Sequence, residues 1–198
     1  MEVPEIPWTE EVVLPAGRTA VLVVDMQNDF VHERGALVVP AAAATVDPIR
    51  RLLRRARAAG VPVVYTQDWH APDDAEFRIW PPHCVAGTWG AEVVDPLAPR
   101  PEEARIHKTT YDPFFRTDLD ALLAGRGVEN LVVVGTVANI CVLHAAASAA
   151  LRGIRPVVPQ DGVSALAPFD QLFALRQITG LYQGTAVRSE AGIRFEKT

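Results

Sequence analysis

Continuous apolar runs alternate with amphipathic stretches along most of the chain. Six runs are short and rich in β-branched residues, which is typical of strands buried on both faces of a parallel sheet. These runs are 19–26, 61–68, 104–108, 131–136, 154–159 and, more weakly, 184–189. Four stretches between them have helical spacing: 44–59, 117–126, 140–152 and 169–181. The first of these ends at Gly60 and the third near Gly153, as helices often do.

This alternation predicts an α/β fold with a doubly wound, mostly parallel six-stranded sheet and helices on both faces. The longest irregular stretch, 69–103, is rich in Pro, Gly and Trp. A stretch of that length in a compact domain usually carries function. The first strand is followed by "MQNDF" and not by a glycine-rich turn, which excludes a dinucleotide-binding fingerprint.

Composition and charge narrow the class of protein. A chain of 198 residues with 49% hydrophobic content fits one domain over residues 1–198. The net charge is −5 and the densest basic stretch, 49–60, has helical spacing, so we expect no nucleic-acid partner. We also expect a cytoplasmic protein with no membrane partner, because no apolar stretch approaches a membrane span and the acidic start is unlike a signal peptide. Cys84 and Cys141 are too few for a disulfide framework and are expected to stay reduced.

Side chains with catalytic or metal-binding chemistry follow four of the predicted strands. Asp25 ends the first strand, Asp68 and His70 end the second, Lys108 ends the third, and Cys141 follows the fourth. In open α/β sheets ligands bind at the carboxyl ends of the strands. The sequence therefore predicts one site at this edge that combines an acid, a cation, a thiol and metal-binding groups.

Cys141 lies where an apolar run gives way to an alanine-rich helical pattern. In the first turn of a helix, free N–H groups and the positive end of the dipole stabilise a thiolate, which favours a nucleophile. Asp25, desolvated at its strand end, would take the thiol proton, and Lys108 would hold an ion pair. Taken singly, the three residues also fit a buried structural cysteine, a turn aspartate and a solvated lysine.

A candidate metal site combines Asp68, His70 and His83. Alternate residues of an extended segment point the same way, so Asp68 and His70 can face one ion, and "WPPHC" supplies His83. Three ligands with open positions suit Zn²⁺, Fe²⁺ or Mn²⁺ in a functional site. The alternative is a turn aspartate with histidines that only form hydrogen bonds. Asp74 or Glu76 is a candidate fourth ligand, and the spacing does not choose between them.

Aromatic residues lie close in sequence to these candidates and predict a flat apolar slot for a ring, with core packing as the alternative. The aromatic residues are Phe30, Trp69, Trp80 and Tyr111.

Five segments together resemble the isochorismatase-like cysteine hydrolases, and among them the nicotinamidases (pyrazinamidases). The segments are "VDMQNDF", "TQDWH", "WPPHC", "HKTTYDPFFRTDL" and "GTVANICV", within roughly residues 19–165. The resemblance implies a catalytic triad of Asp25, Lys108 and Cys141. It implies Asp68, His70 and His83 as ligands of a divalent metal, and Phe30 with Trp80 as the aromatic pair around a pyridine ring.

The resemblance also bears on the turn before the cysteine. It implies a cis peptide between Thr136 and Val137, and an oxyanion hole formed by the N–H groups of Val137 and Cys141. The segment "TVANICV" departs from the "GVATDxCV" pattern typical of nicotinamidases at Val137 and Asn139. This departure bears on the substrate more than on the chemistry. The resemblance further implies a homo-oligomer.

The activity implied by the resemblance is hydrolysis of nicotinamide to nicotinate and ammonia through a cysteine thioester, a step of NAD salvage with a small amide as substrate. One alternative uses the same triad on another small amide or carbamoyl compound. A second is a metallohydrolase in which the metal activates water and Cys141 only packs. A third is a ligand-binding protein without catalysis.

Overall fold

The computed structural model describes residues 5–197 and places ten strands and five α-helices in that range. The strands are β1 (Trp8–Thr9), β2 (Val12–Pro15), β3 (Thr19–Val24), β4 (Val63–Asp68), β5 (Ala104–Lys108), β6 (Asn130–Thr136), β7 (Arg155–Pro159), β8 (Val163–Ser164), β9 (Thr185–Val187) and β10 (Ile193–Glu196). The helices are α1 (Asn28–Val31), α2 (Ala42–Ala59), α3 (Leu119–Ala124), α4 (Leu143–Ala150) and α5 (Pro168–Gly180). Each predicted strand and helix has a counterpart among these elements.

The main sheet has the strand order β1-β9-β7-β6-β3-β4-β5, and β8 also pairs with β6. Every pairing in it is parallel. β3 lies centrally, with Val21 opposite Val63 of β4 and Val132 of β6. All residues of β3 and β4 are buried, which explains why these strands read as continuous apolar runs. The predicted α/β class and parallel sheet are confirmed.

The sheet contains two strands more than the six that the sequence predicts. The additional strands are β1 and β8, each of two residues. Such short strands carry no periodic pattern, so only their pairing with β9 and β6 reveals them. Outside the main sheet, β2 and β10 form a small parallel pair.

Helices flank the sheet as expected. α2 packs on β4 and β6, α4 packs on β6 and β7, and α5 packs on α4 and β9. α2 ends at Gly60, whose φ of 78° is readily adopted by glycine and whose N–H reaches the carbonyls of Ala56 and Arg57. None of the helices within residues 5–197 has the length and apolar character needed to cross a bilayer.

The carboxyl ends of β3 to β6 meet at one edge of the sheet, and a glycine makes their approach possible. Gly135, near the end of β6, has a φ of 118°, and a Cβ there would lie 2.0 Å from the Val24 carbonyl oxygen. No other residue fits this contact. The segment after β6 is thereby held close to the end of β3, where Asp25 follows.

Candidate active site

The acid, the lysine and the thiol lie together at this edge of the sheet. Lys108 Nζ lies 2.8 Å from Asp25 Oδ2 and 3.5 Å from Cys141 Sγ. The Thr66 hydroxyl donates a hydrogen bond of 2.6 Å to Asp25 Oδ1. Asp25 is 0%, Lys108 3% and Cys141 5% exposed. The buried position of Lys108 excludes the solvated surface lysine that the sequence left open.

Asp68 joins this group from the end of β4. Lys108 donates a hydrogen bond to Asp68 Oδ1 as well as facing Asp25. One oxygen of Asp25, one oxygen of Asp68 and Cys141 Sγ lie within 4.8 Å of one another. A single ammonium group thus lies between two buried carboxylates and offsets part of their mutual repulsion.

Burial and the two carboxylates control the ionisation of the site. Burial raises the pKa of Asp25 above its ordinary value. Burial lowers the pKa of Lys108, but Asp25 and Asp68 outweigh this effect and hold that pKa well above its ordinary value. The pKa of Cys141 is raised well above the usual thiol value, chiefly by burial and also by Asp25 and Asp68. Lys108 acts in the opposite direction and lowers this pKa, and a buried thiol of this kind needs a neighbouring base to become a nucleophile.

A pocket opens directly over the thiol. Its empty space, including the open mouth, is about 350 Å³. Twelve residues line it: Phe30, Leu37, Val39, Asp68, Glu76, Trp80, His83, Tyr111, Val137, Ile140, Cys141 and Leu166. Most of the lining residues are apolar, and the thiol of Cys141 and the carboxylates of Asp68 and Glu76 are among the polar groups that line it.

Cys141 belongs to a wide, π-type helical turn, Ala138–Val142, that precedes α4. The peptide between Thr136 and Val137 is cis, which confirms that expectation. The Val137 carbonyl accepts hydrogen bonds from the N–H groups of Ile140 and Val142. Val137 and Cys141 both line the pocket, so the two residues expected to form an oxyanion hole are placed on its wall.

The three predicted metal ligands form one compact group. Their ligand atoms all lie within 4.8 Å of one another, and Nε2 of His70 and of His83 are each 3.9 Å from Asp68 Oδ2. Asp74 Oδ2 lies 3.1 Å from His70 Nδ1, and His83 Nδ1 donates to the Pro81 carbonyl at 2.8 Å. These bonds leave both Nε2 atoms directed at Asp68, the arrangement that orients histidines on a metal.

His70 Nε2 is buried and has no hydrogen-bond partner among the described residues. A buried polar atom without a partner is costly unless an ion or another ligand satisfies it. Burial lowers the pKa of His70, but Asp68 and Asp74 raise it overall to about 9. A cation and a proton therefore compete for this nitrogen. The donor set fits a divalent cation.

The two candidate fourth ligands have different surroundings. Asp74 is already engaged, because it faces the His70 ring and accepts the Glu76 N–H at 2.9 Å. Glu76 is half-buried on the pocket wall, and burial together with Asp68 raises its pKa. Of the two, Glu76 is the carboxylate directed toward the pocket.

Three of the four predicted aromatic residues line the pocket: Phe30, Trp80 and Tyr111. Trp80 Nε1 donates a hydrogen bond of 3.1 Å to the Tyr111 hydroxyl, and the Phe30 ring lies 5.4 Å from the His83 ring. The prediction for Trp69 is wrong, because Trp69 stacks on His107 at 4.1 Å outside the pocket. Trp69 lies between Asp68 and His70, and alternate residues of an extended segment face opposite sides.

Sequence reasoning missed the polar residues that hold these groups in place. Gln27 accepts the Asp68 N–H at 2.8 Å and donates to the Asp68 carbonyl at 2.8 Å. Asp29 and Thr66 are buried as well. The segment "MQNDF" offered one signal, since charged and amide side chains directly after a buried strand require internal partners.

The fold is that of an α/β enzyme in which a thiol, an acid and a lysine meet at the carboxyl edge of a parallel sheet. Residues 19–191 match the family model described as the isochorismatase domain, and the chain belongs to this family. The ureidoacrylate amidohydrolase RutB of Agrobacterium fabrum is 35% identical, and the match covers 67% of this chain and 70% of that protein. The resemblance identified in the sequence is confirmed.

Solved structures agree with this assignment. The crystal structure of N-carbamoylsarcosine amidase from Thermoplasma acidophilum is 39% identical with a TM-score of 0.79, covering 86% of this chain and 96% of that one. The pyrazinamidase of Pyrococcus horikoshii, solved in complex with zinc, is 30% identical with a TM-score of 0.76, covering 91% of this chain and 99% of that one. The protein is therefore an isochorismatase-like amidohydrolase.

Proposed function

We propose that the protein hydrolyses nicotinamide to nicotinate and ammonia through a thioester on Cys141. One observation carries the proposal: the thiol and the Asp68, His70 and His83 group are reached from the same narrow, aromatic-lined pocket. A pyridine carboxamide has a ring nitrogen that can bind a metal in the Asp68, His70 and His83 group and a carboxamide that the thiol can attack.

The charge of the pocket wall favours a neutral substrate. Among the described residues that line it, none is Lys or Arg, whereas Asp68 and Glu76 are both acidic. Lys108 lies beneath the pocket and already faces two carboxylates. Ureidoacrylate and N-carbamoylsarcosine each carry a carboxylate, which would find no side-chain cation on this wall. Nicotinamide is flat and uncharged.

The residues present fit a divalent cation such as zinc, iron or manganese. Asp68, His70 and His83 would hold it, and Glu76 is the available fourth ligand. When bound, the ion would offer an open coordination position to a pyridine nitrogen, a donor similar to imidazole. Phe30 and Trp80 would contact the ring and leave the carboxamide directed at Cys141.

In the first half of the reaction, Asp25 accepts the Cys141 proton as sulfur attacks the carboxamide carbon. The raised pKa of Asp25 brings it closer to the range in which a carboxylate is an effective base. The N–H groups of Val137 and Cys141 hold the oxyanion. The C–N bond then breaks, and the proton on Asp25 leaves with ammonia.

The second half consumes water. Asp25 takes a proton from the water molecule that attacks the thioester, and the C–S bond breaks to release nicotinate. The proton returns to the thiolate and restores the resting thiol. Lys108 stays charged throughout and holds Asp25 in place.

Ammonia release tests this proposal directly. Purified protein is assayed with nicotinamide, ureidoacrylate and N-carbamoylsarcosine, and zinc, iron and manganese contents are measured on the same sample. We expect nicotinamide to have the highest kcat/KM, by about tenfold or more, because leaving a charged group unpaired costs about 1–3 kcal/mol. A higher kcat/KM for either carboxylated substrate would contradict the nicotinamide assignment.

A second candidate substrate is a carbamoyl compound cleaved by the same three residues. The identities of 35% to a ureidoacrylate amidohydrolase and 39% to an N-carbamoylsarcosine amidase favour it. A metallohydrolase with a passive Cys141 is the remaining alternative. Mass spectrometry of acid-quenched enzyme separates these mechanisms, since an acyl adduct on Cys141 excludes the metallohydrolase.

A further inference from the structure

A buried carboxylate outside the reacting group contacts the backbone next to two parts of the pocket wall. Asp29, in α1, is 8% exposed. Its Oδ1 accepts the Ala36 N–H at 3.0 Å, and its Oδ2 accepts the Cys84 N–H at 2.7 Å. No Lys, Arg or His within residues 5–197 forms an ion pair with Asp29. Backbone N–H groups therefore satisfy its charge.

The bond to Cys84 acts on both histidines of the metal-binding group. Cys84 directly follows His83, so the N–H that Asp29 binds belongs to the peptide unit joined to His83. The Cys84 carbonyl accepts the His70 N–H at 3.1 Å. A single peptide segment thus connects Asp29 to the backbone of both ligands.

The bond to Ala36 acts on a second part of the wall. The Asp29 carbonyl accepts the Leu37 N–H at 3.1 Å, and the Phe30 carbonyl accepts the Val39 N–H at 2.9 Å. Leu37, Val39 and Phe30 all line the pocket. Asp29 therefore holds this wall at a fixed position relative to His83.

Close packing leaves the carboxylate little freedom. A Cβ at Gly90 would lie 2.1 Å from Asp29 Oδ2, and a Cβ at Gly35 would lie 2.3 Å from the Asp29 carbonyl oxygen. Both loops reach Asp29 only because these positions lack a side chain. Asp29 is therefore closely packed on both sides, by the loop that carries Gly35 and by the loop that carries Gly90.

We propose that Asp29 is a positioning residue that sets the geometry of the Asp68, His70 and His83 cation site through the Cys84 peptide. The inference rests on the proposed metal site and goes beyond it, since Asp29 contacts neither the cation nor the substrate. An asparagine keeps the shape of Asp29 but replaces one acceptor oxygen by an NH₂ donor. One of the two backbone N–H groups, that of Ala36 or that of Cys84, then faces a donor, so Asp29 no longer joins the two segments and the peptide after His83 loses its fixed position.

The test measures metal binding itself. Wild type, Asp29→Asn and Asp29→Ser are stripped of metal and titrated with Zn²⁺ against a chromophoric chelator, and the Co²⁺ forms are compared by visible absorption. Serine is shorter and removes both hydrogen bonds without adding an NH₂ donor, which provides a second variant if Asp29→Asn does not fold. We expect the zinc Kd to rise about 10–100-fold, the usual effect of losing a group that orients a metal ligand, and the Co²⁺ spectrum to change.

Asp161→Asn is the matched control, because Asp161 also accepts two hydrogen bonds, from the Ser189 hydroxyl at 2.6 Å and from the Glu190 N–H at 2.7 Å. It should lower Tm without changing the zinc Kd. If Asp29→Asn and Asp29→Ser both lower Tm but keep the wild-type zinc Kd and Co²⁺ spectrum, Asp29 is only structural and the inference is overturned. If wild type binds no Zn²⁺, the proposed metal site fails and the inference fails with it. Failure of nicotinamide hydrolysis alone leaves the zinc result unaffected.

Discussion

The two sides of the pocket are built differently. On one side, Asp25, Lys108 and Cys141 extend from the ends of hydrogen-bonded strands or from the turn that follows β6, and all are almost fully buried. On the other side, the loop of residues 69–91 carries His70, Glu76, Trp80 and His83, and buried polar side chains hold it in place. Trp80 and Glu76 in this loop are only partly buried.

This difference separates reactivity from selectivity. The sheet edge fixes the reacting atoms to a rigid scaffold, which suits chemistry that tolerates little displacement. In the proposed complex the loop would contact the part of the substrate that does not react, so changes there should alter which amide is used more than whether an amide is cleaved. Substitutions on the two sides should therefore have effects of different kinds.

The largest effect on turnover is expected at the sheet edge. Cys141→Ala should lower kcat at least about 1000-fold with little change in Tm, because the nucleophile is lost and little volume is removed. Cys84→Ala is the matched control, since it removes a fully buried thiol that does not line the pocket and whose hydrogen-bond partner is the Gly90 carbonyl, at 3.9 Å. More than about a tenth of wild-type kcat in Cys141→Ala would exclude covalent catalysis by this residue.

Removing the lysine should damage the fold as well as the rate. Lys108→Met leaves Asp25 and Asp68 facing each other without a cation and should lower the free energy of unfolding by about 3–5 kcal/mol. Urea unfolding measures this loss. Arg18→Met removes the cation of the exposed pair with Glu129 and should cost at most about 1 kcal/mol. Equal losses of unfolding free energy in the two variants would mean that burial of Lys108 does not increase its contribution to stability.

A change in the loop should instead alter selectivity. His83→Ala removes one candidate metal ligand and should lower kcat/KM for nicotinamide about 10–100-fold. Benzamide has the same shape and amide but no ring nitrogen, so its slower hydrolysis should change by less than about threefold. Competition kinetics with both amides measures the ratio. Equal kcat/KM for the two amides in wild type would contradict the nicotinamide assignment and leave the amidohydrolase class intact.

The smallest effect is expected at the pocket mouth. Tyr111→Phe removes the acceptor of the Trp80 Nε1 hydrogen bond and should raise KM for nicotinamide about fivefold, the equivalent of about 1 kcal/mol, with kcat unchanged. Tyr182→Phe provides the control, since Tyr182 does not line the pocket. A fall in kcat without a change in KM would show that Tyr111 affects the reacting atoms.

The fold was predictable because its main strands are buried on both faces. β3 and β4 read as continuous apolar runs for this reason, and the helices between strands show the 3.6-residue period. β1 and β8 were not predictable, since two paired residues leave no pattern in the sequence. Their strand character depends entirely on partners distant in the chain.

The site was predictable where a side chain directly follows a strand. Asp25, Asp68 and Lys108 converge because neighbouring parallel strands end at one edge. The raised pKa of Cys141 was not predictable, because it depends on carboxylates from two other strands. The role of Asp29 was equally hidden, since its acceptor geometry exists only after the loop containing Cys84 has folded back onto α1.

The ion pair at the sheet edge also constrains the order in which parts of the chain can fold during synthesis. Asp25 emerges from the ribosome long before Lys108, and Cys141 follows Lys108 by a further 33 positions. Until β5 docks beside β4, the Asp25 and Asp68 carboxylates have no ammonium group to offset their burial. We therefore expect Asp25, at the end of β3, to stay solvated until Lys108 has been synthesised. In a nascent chain shorter than about 110 residues, this end of the sheet should remain hydrated and accessible to chaperones.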